Sequence, residues 1–246
     1  MYTILIALLI GAAAGGAWTA LALWKTWQFG LVLFFLVSIV SFIVISRVMA
    51  KRVEPRFMDV QRMIQSGQTP LAIQTLEELM PLSNWQILLK GQIHAQIGLL
   101  AYASGDDARA EEHLPRSGYR ATEAQMALAA LSYRKGRKDQ AYEALDTAIT
   151  AAKKQIMPYH VFAWMALKDG DKNKAMDKLL AAEKVEKSNE STQENLERLR
   201  NGKKLNMKRF GMPWFGLQLE KPPAQYRAAA GQPARKGFRQ RKQKKG

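Results

Sequence analysis

The chain opens on an apolar run broken once. Residues 2 to 24 carry no charged side chain, residues 29 to 46 are again uncharged, and the short link KTWQFG lies between them. As helices these stretches span roughly 35 and 27 Å, against a hydrocarbon layer of ~30 Å. A buried core helix would show a polar face at helical period, yet Leu31 to Ile45 offers only Ser38 and Ser41. A cleaved export signal would place basic side chains ahead of a short apolar core, and none precedes this run. The pattern therefore predicts a two-helix transmembrane hairpin over residues 1–50, with Trp24, Trp27 and Phe29 as an interfacial aromatic belt. Gly11, Gly15 and Gly16 form a small-residue stripe, which is expected to pack on the chain's own second span.

Beyond residue 50 the pattern becomes amphipathic, and one frame recurs. Gly67, Ala72 and Leu76 are followed by Gly105, Ala110, Leu114, then Gly136, Ala141, Leu145, then Gly170, Ala175, Leu179. Each copy is glycine, alanine five later and leucine nine later, with successive glycines 38, 31 and 34 residues apart. Polar turns (SGQT, SGDD, KGRK, DGDK) surround the glycines. The reading is a helix ended by a left-handed glycine, then a second helix packed closely through its alanine.

This frame resembles the tetratricopeptide repeat, a 34-residue pair of antiparallel helices. The last copy matches best, through Tyr159, Phe162-Ala163, Ala166, Gly170, Ala175, Leu179 and Ala182. In the second, Ser117 replaces the usual small apolar residue; in the first, Asp59 stands where a large apolar one belongs. The resemblance implies an all-α fold: about four repeats over residues 51–187, the first degenerate, with a capping helix over 188–202. It also implies a concave face lined by the first helix of each pair. That face would show Gln61, Gln92, Gln96, Tyr102, Met126, Tyr133, Arg134, His160, Trp164 and Lys168, a mixture suited to gripping a peptide. The family's carboxylate-clamping positions hold Gln92, Gln96, Ala127, Ala130 and Val161 here, so chaperone tails are not the expected ligand.

Charge changes the picture at the C-terminus. The net +16 is distributed as four bases and no acid in residues 1–53, twenty against twenty in 54–202, and thirteen bases against Glu220 in 203–246. The last segment reads as a basic, largely disordered tail. Within it FGMPWFGLQL is apolar enough to dock on the repeat stack, on a partner or at the bilayer interface. Arg235, Lys236, Arg239, Arg241, Lys242, Lys244 and Lys245 would neutralise anionic lipid, or the phosphates of RNA.

Recognisable catalytic chemistry is missing from the pattern. There is no cysteine, phosphate loop, dinucleotide fingerprint, zinc-helix motif or nucleophile elbow. His94, His113 and His160 lack metal-ligand spacing and read as surface or groove residues; Glu77-Glu78, Asp106-Asp107 and Glu111-Glu112 read as solvated turns and helix starts. No enzyme activity, cofactor or metal is expected. Arg47, Lys51, Arg52 and Arg56 after the second span, against Lys25 in the link, predict both termini in the cytoplasm, and a bacterial inner membrane is the expected location. The expected role is a scaffold that recruits protein partners at the membrane face. The alternative is an RNA- or ribosome-associated membrane factor acting through the tail.

Overall fold

A computed structural model describes residues 2–21, 27–85 and 88–223; these are largely helical, without strands. Helices α1 (Tyr2–Ala20) and α2 (Trp27–Gln65) pack antiparallel. Thr3, Ala7, Gly11 and Gly15 are the buried positions of α1, spaced every four residues along the face that meets α2. A Cβ on Gly11 would stand 2.8 Å from the Phe34 carbonyl oxygen, and one on Gly15 2.8 Å from that of Gly30. The glycine stripe is thus used for close backbone approach within the chain. Much of the described hairpin faces outward: Leu5, Leu9, Leu21, Phe29, Val32, Phe35 and Ile39 are more than half exposed. Both helices are long and apolar enough to cross a membrane.

A domain boundary at residue 50 is not what the backbone does. Helix α2 continues through Lys51, Arg52 and Pro55 to Gln65, because its later turns still have an apolar stripe to bury. Val53 and Val60 pack with Ala72 and Leu76 of α3 (Thr69–Glu78) and with Leu89, Ile93 and Ile97 of α4 (Leu89–Ser104). The first helix of the first helix pair is therefore the continuation of the second apolar helix.

Three further pairs follow: α4 with α5 (Asp107–His113), α6 (Thr122–Arg134) with α7 (Lys138–Ala151), and α8 (Met157–Lys168) with α9 (Lys172–Val185). Gly67, Gly105, Gly136 and Gly170 all sit at φ between +76° and +88°. After each one, the next N–H reaches back across the turn: Gln68 to Met63 O, Asp106 to Ala101 O, Arg137 to Ser132 O and Asp171 to Ala166 O. This closure satisfies the last carbonyls of the first helix, and only a residue free to adopt positive φ allows it cheaply. All four alanines and all four leucines of the frame are 0% exposed. Ion pairs stitch successive pairs together at their turns: Asp107 to Arg134, Glu111 to Lys135 and Arg137, and Asp169 to Lys138.

Helix α10 (Glu190–Arg200) covers the last pair, its end closed at Gly202 in the same way by Lys203 N to Arg198 O. The chain then makes a 3-10 turn at Lys208–Phe210 and a short helix α11 (Met212–Gly216). The basic residues 235–245, together with Trp24 and Lys25, lie outside the described residues.

Candidate functional site

The first helices α4, α6 and α8 carry the positions expected to line a groove, and the chain's own residues 205–220 lie against them. Leu205, Met207, Trp214, Phe215 and Leu217 are buried in the same core as Tyr102, Met126 and Trp164. The Trp214 and Trp164 rings pack edge to face with centroids 5.3 Å apart, and Phe210 covers His160 at 4.9 Å.

Polar contacts fix the register of this segment. Tyr102 Oη donates to the Leu217 carbonyl at 2.5 Å, and Gln218 Nε2 donates to the Tyr102 carbonyl at 2.9 Å. Arg134 donates to Gln218 Oε1 at 2.7 Å and to both Asp107 carboxylate oxygens. The Glu220 carboxylate accepts from two indoles, Trp164 Nε1 at 3.1 Å and Trp214 Nε1 at 3.2 Å. Burial raises the Tyr102 hydroxyl to about 12, outweighing the opposing effect of Arg134, so it remains a donor.

A buried network anchors the start of the segment. His160 Nε2 lies 3.0 Å from Thr192 Oγ1, and its Nδ1 lies 3.2 Å from Asn195 Nδ2. Asn195 Oδ1 in turn accepts from the Asn206 backbone N–H at 2.6 Å. Since the amide Nδ2 can only donate, His160 Nδ1 must accept, and the neutral ring donates from Nε2. Burial holds this imidazole down at about 4.

The ten expected groove residues do not form one site. Tyr102, Arg134, His160 and Trp164 hold the internal segment. Tyr133 touches Trp164 by its ring and donates to Asp169 Oδ1 at 2.9 Å, while Lys168 lies over the Trp164 ring at 5.2 Å. Met126 is core rather than groove lining. Gln61 and Gln96 line a separate open cavity of about 460 Å³ with Glu54, Phe57, Met58, Ile64 and Gln65, where no segment of the described chain is seated. Gln92 borders a third depression with Leu88 and Tyr119.

Of the two readings for the histidines, surface or groove, the surface one fails, since all three are buried. His94 and His113 face each other across α4 and α5, Nδ1 to Nδ1 at 3.1 Å, in a contact that requires one donor and one acceptor. Desolvation is the largest effect holding both imidazoles below their usual value. Two imidazoles are short of a metal site, and no group of three or more metal-type ligands occurs among the described residues. The acid pairs have structural partners: Asp106 caps α5 by accepting from Arg109 N, and Asp107 and Glu111 bridge to the next helix pair.

Residues that sequence reasoning did not single out include Thr192, Asn195, Asn206, Gln218 and Glu220. Of these only Gln218 lies within FGMPWFGLQL, whose apolar content was the signal, and of that segment's three candidate docking surfaces the stack is the one it occupies. Models of known protein families do not match the chain, and comparison with curated protein sequences gives no significant match.

Proposed function

We propose that this chain is a membrane-anchored scaffold of the tetratricopeptide type, holding protein partners at the cytoplasmic face of a membrane without catalysing a reaction. The observation that carries the proposal is the apolar hairpin left without a protein cover. The most apolar windows of its two helices are only 22% and 11% buried, whereas a core helix of a soluble protein of this length would be mostly buried. Lipid is the solvent that such a surface fits. The recurrent glycine, alanine and leucine frame supports the repeat assignment.

Partner capture would use the part of the concave face that residues 205–220 leave open: the depression around Phe57, Met58, Gln61, Ile64 and Gln96. Arg47, Lys51, Arg52 and Arg56, where the apolar part of α2 ends, favour the cytoplasmic side. Reporter fusions at Gly67 and Gly246 should both report cytoplasm, and a signal from the opposite side at either position would overturn the orientation. A photo-crosslinker at Gln61 in native membranes should give discrete adducts that a crosslinker at Glu143, exposed on α7, does not. Equal labelling from both positions would remove the groove from the proposal.

A further inference from the structure

We infer that the cavity beside the Met80–Asn84 turn is a headgroup site for an anionic phospholipid, built from Lys90 and Arg116 and held at the level where the apolar hairpin ends. The inference rests on the membrane reading above. Its first support is position. The hairpin register sets Gly15 against Gly30 and Gly11 against Phe34 and Ser38. Continued along the antiparallel pair, it brings Thr3 opposite residues 42–46, one turn before Arg47. Thr3 Oγ1 donates to the Trp85 carbonyl at 2.6 Å, and the Tyr2 and Trp85 rings pack edge to face at 5.6 Å. The loop of the first helix pair is thereby tied to the start of α1, where a spanning helix meets headgroups, and Trp85 supplies the amphipathic ring favoured at that depth.

The second support is chemistry. The cavity, about 680 Å³ and open, is lined by Met80, Ser83, Asn84, Lys90, His94 and Arg116 among others. Lys90 is exposed and enters none of the ion pairs among the described residues. Arg116 is held 3.1 Å from Glu112, a pair that is more than half exposed and leaves guanidinium donors free. The lining carries two cations and no carboxylate; Glu112 lies outside the lining, paired with Arg116 and close enough to act on His94. Basic groups near an anionic leaflet each contribute about a fivefold preference for the charged lipid.

The test uses the full chain in nanodiscs of mixed phosphatidylglycerol and phosphatidylcholine, released for native mass spectrometry to count retained lipids. The wild type should retain phosphatidylglycerol preferentially. Lys90→Gln with Arg116→Gln should reduce that preference at least fivefold, whereas Lys153→Gln with Lys154→Gln, exposed bases beyond α7, should leave it unchanged. Glu112→Gln frees Arg116 and should strengthen retention. Equal phosphatidylglycerol retention in the wild type and the Lys90/Arg116 variant would overturn the site, as would equal loss in the Lys153/Lys154 variant. Displacement of the lipid by millimolar inorganic phosphate would reassign the cavity to a free anion and overturn the lipid proposal. Flotation of the chain with pure phosphatidylcholine vesicles reports the hairpin separately, so failure there sinks the membrane reading rather than this site.

Discussion

Replacing Trp214 by Ala tests whether residues 205–220 are part of the fold or a loosely attached end. The side chain is fully buried, packs edge to face with Trp164 and donates to Glu220. Truncating a buried tryptophan costs about 3–5 kcal/mol, through lost burial and the cavity left behind. Two further losses act in the same direction: the Glu220 carboxylate keeps one of its two indole donors, and Trp164 loses the ring packed against it. The edge-to-face contact itself accounts for about 0.5–1.5 kcal/mol of the total.

The assay is urea unfolding of the full chain in mild detergent, followed by far-ultraviolet circular dichroism because tryptophan fluorescence is altered by the substitution. With a slope of about 2 kcal/mol/M, the expected loss moves the midpoint down by about 1.5–2.5 M. Where the variant is too unstable to give a baseline, Gln218→Ala provides a milder version. It removes the bond to the Tyr102 carbonyl and the acceptor for Arg134, at about 1 kcal/mol or more. A double cycle of Trp214→Ala with Trp164→Ala should be less than additive, since the two rings touch. A Trp214→Ala midpoint within about 0.3 M of the wild type would refute the reasoning, because a side chain buried in the core cannot be removed so cheaply.

Three further outcomes are expected. His160 has its folded value near 4 and an ordinary value of 6.5, so the unfolded chain takes up a proton first as pH falls; stability should drop by up to about 3 kcal/mol between those limits, and His160→Gln should flatten the profile in that window. His94 and His113 are lowered too and leave a residual slope of the same sign, so an unchanged slope in His160→Gln would sink the argument. Ala141→Leu and Ala175→Leu should each cost about 1–3 kcal/mol by overpacking a contact with no free space, read as a lowered melting temperature; unchanged melting would contradict the packing. Deleting residues 234–246 should weaken binding to anionic vesicles, and direct competition of vesicles with RNA at equal phosphate concentration decides between the two partners, with preference for RNA favouring the ribosome-associated alternative.

What was legible in the sequence was local. A helix end that needs positive φ selects glycine, so Gly67, Gly105, Gly136 and Gly170 marked the turns directly, and the alanine and leucine that follow marked the packed faces. The apolar hairpin was legible for the same reason, its length and lack of charge being properties of contiguous residues. The site was not, because it depends on pairings far apart in the chain. Tyr102 meets Leu217 across 115 residues, and His160 meets Asn195 across 35. Composition showed that FGMPWFGLQL must dock somewhere but carried no address. A boundary at residue 50 follows the end of the uncharged run before Lys51 and Arg52, but Val53 and Val60 keep a core-facing stripe, so the same helix continues past it.

That continuity bears on where a partner would bind. Residues 205–220 cover the first helices of the later pairs from Tyr102 to Trp164, and the open depression lies against the part of α2 that emerges from the apolar hairpin. Met58 stands eleven residues beyond Arg47 and Ile64 seventeen, so at 1.5 Å per residue the opening lies about 16 to 25 Å past the first charge of the helix. A single uninterrupted helix joins the two, and Thr3 with Trp85 adds a second tie on the other side of the hairpin. Two attachments restrict rotation of the stack about α2 in a way that one flexible linker would not. On the membrane reading proposed above, a groove at this distance from the apolar hairpin would suit a short segment of another membrane protein better than a large soluble partner, which would meet the headgroups before it filled the depression.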